Sequence, residues 1–137
     1  MYSLAMPACG KNFQVSANVI IKGLDLLSVG CDVYIAPNVV INCHAQVILQ
    51  DQVMIGFNSV VVSGNHTYLN GSFRFGISSP SLIQIGFGSW IAANCTICAG
   101  VKIGSGCLIA ANSVVNRNCD GGFIYAGVPA RKIKSCI

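Results

Sequence analysis

The chain has 137 residues with eight Lys plus Arg, four Asp and no Glu, so 9% of it is charged and the net charge is +4. That scarcity of charge excludes disordered and coiled-coil chains, which need many charged side chains. It also argues against a helical bundle, because the exposed-face helix formers Glu and Lys are nearly missing. With 53% hydrophobic residues and 15 Gly, the composition predicts one apolar, glycine-punctuated, all-β domain.

Met1 to Gly10 shows no basic start followed by a long apolar run. No signal peptide is therefore expected, and a cytoplasmic protein is the default. From about residue 15 to 62 a loose six-residue rhythm runs along the chain. Val29, Ile35 and Ile41 lead three units, and Leu49, Ile55 and Val61 lead three more after a two-residue slip.

Between Val62 and Ile85 the rhythm breaks. Residues 63–84 hold His66, Tyr68, Asn65, Asn70, Phe73, Arg74 and Phe75. A non-repeating excursion of this length inside a compact domain is usually functional.

From residue 85 the register becomes strict. The units IGFGSW, IAANCT, ICAGVK, IGSGCL, IAANSV and VNRNCD cover 85–120. Ile85, Ile91, Ile97, Ile103, Ile109 and Val115 lead them, and Ser89, Cys95, Val101, Cys107, Ser113 and Cys119 follow four places later. The fourth place is Gly or Asn in every unit. Each unit reads as a short strand and a bend, with the branched aliphatic pointing inward and Gly or Asn carrying the corner. Three units would close a triangular turn, and stacked turns would pair as parallel ladders around an aliphatic column. The uncharged run from Phe75 to Val101 is long enough to span a bilayer. Its polar residues recur every few positions, which marks periodic β-structure, not a spanning helix. The segment 121–137 is left as a C-terminal tail or short helix.

Eight cysteines could imply a disulfide framework, but that requires a secreted context. Cys95 and Cys98 form a lone CxxC with no second pair to complete a zinc site. Reduced, packed thiols are expected, since free Cys serves as a small buried hydrophobe.

The six-residue units resemble the hexapeptide repeats of the left-handed β-helix acyltransferases. From Asn65 onward the likeness extends to the sugar O-acetyltransferase branch, of which the galactoside and maltose acetyltransferases are examples. The matching pieces are Gly64-Asn65-His66, Gln84-Ile85-Gly86-Phe87-Gly88-Ser89-Trp90-Ile91, Ile109 to Val115, and Ala126-Gly127-Val128-Pro129-Ala130-Arg131-Lys132-Ile133. The resemblance implies a left-handed parallel β-helix with a protruding active-site loop. It also implies acetyl-CoA as co-substrate and a homotrimer with active sites between subunits.

By the same resemblance His66 is the general base that takes a proton from an acceptor hydroxyl. The chemistry suits an imidazole, which titrates near neutral pH and can accept and return that proton. Asn42 resembles the family's substrate-binding asparagine, although it stands about one unit closer to His66 than in the sugar acetyltransferases. Trp90 is expected to line the acceptor or pantetheine channel. Ala93 and Ala111 match positions bordering the pantetheine arm. Asn116, Arg117, Arg131 and Lys134 match positions near the adenine and phosphates. Three of the eight basic residues lie within Arg131–Lys134, a cluster that attracts phosphates. His44 reads as a polar residue at a bend.

The expected activity is acetyl transfer to a hydroxyl of a sugar or saccharide. An N-acetyltransferase on an amino-sugar nucleotide or antibiotic-like acceptor is one alternative, and a non-catalytic β-helix assembly protein is another. No metal is expected, because a zinc carbonic anhydrase on this coil would need three histidines and the chain has two. No basic stripe with interleaved aromatics suggests nucleic acid.

Overall fold

The structure is a computed structural model that describes residues 4–137. Its strands are two to five residues long and stack into three sheets, as expected of a parallel β-helix. The first face runs Ala8–Cys9, Leu27–Val29, Val47–Leu49, Ile83–Ile85, Lys102–Ile103. The second runs Gln14–Val15, Tyr34–Ile35, Met54–Ile55, Trp90–Ile91, Leu108–Ile109, Phe123–Ala126, and the third Ile20–Lys22, Val40–Asn42, Val60–Val62, Thr96–Ile97, Val114–Val115. Each circuit visits the faces in that order, and the coil makes about six turns.

The register explains the slip seen in the sequence. Gln14 pairs with Tyr34 and Tyr34 with Met54, so the N-terminal turns are twenty residues long. Trp90 pairs with Leu108 and Thr96 with Val114, so the turns after the loop take eighteen, three plain six-residue units, and Leu108 pairs with Ile124, so the last takes sixteen. The extra residues of the long turns lie at the corner from the third face to the first, where Leu24–Leu26 form a 3-10 turn and Cys43–Gln46 a bend. The loop leaves from the same corner one turn later. Val47 nevertheless pairs with Ile83, so the ladder continues across the excursion. Pairing resumes at Ile83, two residues before the first strict unit, because Ile83 is fully buried in the core.

The lead residues fill the interior. Ile35, Ile55, Ile91 and Ile109 form one column, and Ile41, Val61, Ile97 and Val115 another, all at most 1% exposed. β-Branched side chains suit this position because their stiff rotamers pack well on a pleated surface. The corners use backbone freedom. Between the second and third faces Asn18, Asn38, Asn58, Asn94 and Asn112 all have φ between 57° and 63°. Asn tolerates this left-handed region better than other side-chain-bearing residues, for which it costs roughly 1–2 kcal/mol. At the preceding corner Gly86 answers a different demand, since a Cβ there would lie 2.5 Å from the Ser105 nitrogen of the next turn.

The small position carries polar stitching between turns. Ser59 Oγ donates to Ala92 O at 2.9 Å and accepts from Cys95 N at 3.1 Å. Ser89 repeats the pattern with Gly104 O and Cys107 N. All eight cysteines are free. Burial pushes the Cys43 thiol up to about 11 and Cys119 to about 12. A raised thiol pKa removes the thiolate that reacts. At pH 8 a thiol-specific disulfide reagent is therefore expected to modify exposed Cys136 rapidly, and Cys43, Cys95, Cys107 and Cys119 only after denaturation. Fast modification of five or more thiols in the folded protein would contradict this packing.

The C-terminal tail is a strand. Arg131–Ser135 folds back antiparallel on Phe123–Ala126 and becomes the end strand of the second face. A helix does not form because Phe123 to Ala126 continues the parallel ladder beside Leu108–Ile109 and offers an open edge. No helix among the described residues is long and apolar enough to cross a membrane.

Candidate active site

The loop is an arm with its own short-range pairing. His66 bridges Ser78 and Leu69 bridges Ser72, both antiparallel. Thr67 Oγ1 donates to Ile77 O at 2.6 Å, and the Tyr68 and Phe73 rings lie 5.1 Å apart. Arg74 stacks over Phe75 at 5.0 Å. Apolar side chains stay outside all the same: Phe75 and Ile77 are 78% and 82% exposed.

Its root is clamped to the turn below. Fully buried Ser63 accepts from His44 N and Ala45 N, each at 2.9 Å, and donates to Ala45 O at 2.8 Å. Ser81 N donates to Ser63 O at 2.9 Å, closing the base of the arm. Above this clamp lies a cavity of about 140 Å³ lined by Asn42, His44, Val62, Gly64, Asn65, His66 and Ser78. Asn42 and His66 thus share one cavity in spite of the shorter spacing between them. The stacking explains it: Asn42 pairs directly with Val62, so the two corners lie one above the other. Neither imidazole makes a side-chain hydrogen bond with another described residue. No carboxylate lines the cavity.

Sequence reasoning placed His44 at a bend, where it is, but missed its place in the cavity. The residue stands one turn below the arm, and only the twenty-residue turn length brings it there.

A second group of expected site residues lies elsewhere. Trp90, 46% exposed on the second face, and Ala93 line an apolar hollow of about 270 Å³ with Tyr34, Ala36, Met54, Ile55, Gly56 and Phe57. Ala93 and Ala111 stack at the corner between the second and third faces, where Asn112 N donates to Ala93 O at 3.0 Å. Arg131 and Lys134 sit on the end strand of that same second face, both exposed. Their neighbour Lys132 is engaged: it pairs with Asp120, which raises its pKa, and lies 4.1 Å over the Phe123 ring. Asn116 and Arg117 occupy the other corner, between the third and first faces, on the line from which the arm departs. One chain thus carries two groups, separated by the third face, and does not bring His66 to Trp90. Among the described residues no three His, Cys, Asp or Glu side chains are grouped to hold a metal.

A family model described as bacterial transferase hexapeptide, six repeats, matches residues 83–117. The solved maltose O-acetyltransferase of Clostridium difficile 630 superposes with a TM-score of 0.92 at 24% identity, over 98% of this chain and 72% of that one. The coil is that of the hexapeptide-repeat acetyltransferases. Mirror-image coils do not superpose, so this one takes the family's left-handed course. The hexapeptide-repeat acetyltransferase of Vibrio cholerae O1 biovar eltor, solved with acetyl coenzyme A, matches with a TM-score of 0.91 at 25% identity, over 99% of this chain and 74% of that one. Galactoside O-acetyltransferase of Escherichia coli K12 is 29% identical over 125 residues, 91% of this chain and 52% of that protein. The chain spans 60% and 42% of the lengths of two further curated relatives.

Proposed function

We propose that the protein is an acetyl-CoA-dependent O-acetyltransferase that modifies a hydroxyl of a saccharide, with His66 as general base. The observation that carries this reading is the cavity at the root of the arm, where the His66 imidazole has no hydrogen-bond partner among the described residues and is free to meet a ligand. Neutral His66 takes the proton from the acceptor hydroxyl. The oxygen attacks the thioester carbon, and the tetrahedral oxyanion collapses with cleavage of the C–S bond. The proton passes from the imidazolium to the coenzyme A sulfur, so no covalent enzyme intermediate is needed.

The lack of a carboxylate in the cavity favours a hydroxyl over an ammonium acceptor, which would enter without a counter-ion. The donor half consists of Trp90, Ala93 and Ala111 beside the pantetheine, with Arg131 and Lys134 toward the phosphates. The N–H groups of Ala93 and Ala111 donate no hydrogen bond among the described residues and are free for the pantetheine amides. Because the two halves occupy different faces, a complete site takes the arm of one copy and the second face of another. A homotrimer working in the cytoplasm, where acetyl-CoA is supplied, is the assembly that fits.

Calorimetric titration with acetyl-CoA tests the class without a guess about the acceptor. Saturable binding near one site per chain is expected. Charge reversal at Arg131 and Lys134 is expected to weaken it about tenfold or more, since each charge-assisted phosphate contact contributes about 1.5–3 kcal/mol. Absence of binding would leave a β-helix used for assembly as the better description.

A further inference from the structure

The cavity holds a second imidazole that the scheme above leaves unused. His44 is fixed in it by two constraints independent of His66. Its backbone is clamped by the buried Ser63 hydroxyl. Its ring lies against the Gly64 backbone so closely that a Cβ on Gly64 would come within 2.6 Å of Cδ2. The ring is exposed and makes no side-chain hydrogen bond with another described residue. Two unpartnered imidazoles and the Asn42 amide therefore border a space of about 140 Å³. Taking ~30 Å³ for one water in the liquid, this is room for about four or five waters. Adjacent hydroxyl-bearing carbons of a sugar ring, with their two oxygens, fit within it.

We propose that His44 is a second acceptor-contacting residue, which binds the hydroxyl next to the one that His66 deprotonates. The acceptor is then a saccharide with vicinal hydroxyls, and His44 determines which pair is presented. This assignment rests on the acetyl-transfer reading. Neutral imidazole carries one donor and one acceptor nitrogen, so it can hold a hydroxyl in either sense. A site built to bond a hydroxyl rejects analogues that lack it, because its own polar group is then left unpaired.

The test uses the full chain, acetyl-CoA, and the methyl α-D-pyranosides of galactose, glucose and mannose with their deoxy counterparts. His44→Phe and His44→Asn are compared with the parent protein for KM, kcat and acetyl-CoA binding. His44→Phe is expected to raise the glycoside KM about tenfold or more, the worth of one hydrogen bond to a polar group left unmatched. Acetyl-CoA binding stays unchanged, which shows that the fold and donor half are intact. His44→Asn, which keeps a hydrogen-bonding group, restores KM to within about threefold. The parent protein's penalty for the deoxy acceptor lacking the neighbouring hydroxyl disappears in His44→Phe, as a double-mutant cycle requires of contacting groups. An unaltered KM in His44→Phe, or a deoxy penalty that persists there, overturns the assignment while the acetyltransferase reading stands. A parent protein that binds acetyl-CoA but acetylates none of the glycosides removes the saccharide reading and this proposal with it.

Discussion

Replacing His66 by Ala is expected to lower acetyl transfer by about 10²–10⁴-fold, the usual share of a general base. The oligomer and its affinity for acetyl-CoA should be unchanged, because the His66 side chain makes no hydrogen bond with another described residue and lies on an exposed arm. Steady-state rates with native mass spectrometry and calorimetry separate these effects. Near-normal turnover in His66→Ala would remove it from the mechanism. The split between the two groups of site residues adds a stronger test. A variant with Arg131 and Lys134 reversed keeps its arm, and His66→Ala keeps its second face. At acetyl-CoA concentrations too low for the charge-reversed variant, mixed oligomers of the two variants should regain activity at about one quarter of their interfaces, the random pairing of an intact arm with an intact face. Mixed oligomers that stay inactive after subunit exchange would place both halves of the site within one chain.

The largest stability effect is expected in the aliphatic column. Ile97 is fully buried between Val61 of the turn before and Val115 of the turn after. Its removal opens a cavity that the ladder on each side holds open, since the neighbouring strands are hydrogen-bonded and cannot close in. Ile97→Ala is expected to cost about 2–5 kcal/mol, and Ile97→Val only about 0.5–1.5 kcal/mol. Urea unfolding at one fixed protein concentration measures both, because oligomer stability varies with concentration. The steep dependence on one residue follows from the solenoid itself, where each turn is held only by its neighbours. An Ile97→Ala cost below that of Ile97→Val would contradict the packing.

Much of this molecule was legible in the chain. The strict units of 85–120 give both the column and the corners, and of the asparagines at the fourth place Asn94 and Asn112 have positive φ while Asn118 does not. The small positions read as packing residues are indeed buried, and Cys95, Cys107 and Cys119 among them are free thiols. The looser upstream rhythm hid one feature. Two extra residues per turn shift the register without disturbing the core, because a bend can absorb them at the third corner. The tail also escaped sequence reasoning. Arg131–Ser135 has no alternation that announces a strand, and its pairing depends on the edge left open by Phe123–Ala126.

The site divides in the same way. His66 stood out as one of two histidines in the one long break of the repeat, and the breakdown of a period is visible wherever the period is strong. Asn42 and His44 could not be assigned from spacing, because a cavity depends on how many residues make a turn. Twenty residues per turn, a length set by the third corner, stacks the Cys43–Gln46 bend beneath the root of the arm. By itself the sequence determined the coil, its core and the chemical types present, since a six-residue period leaves one face of each strand for the interior. Only the tertiary structure decided which of those residues meet. Contacts between turns join positions about twenty apart, and one local insertion of two residues rearranges all of them.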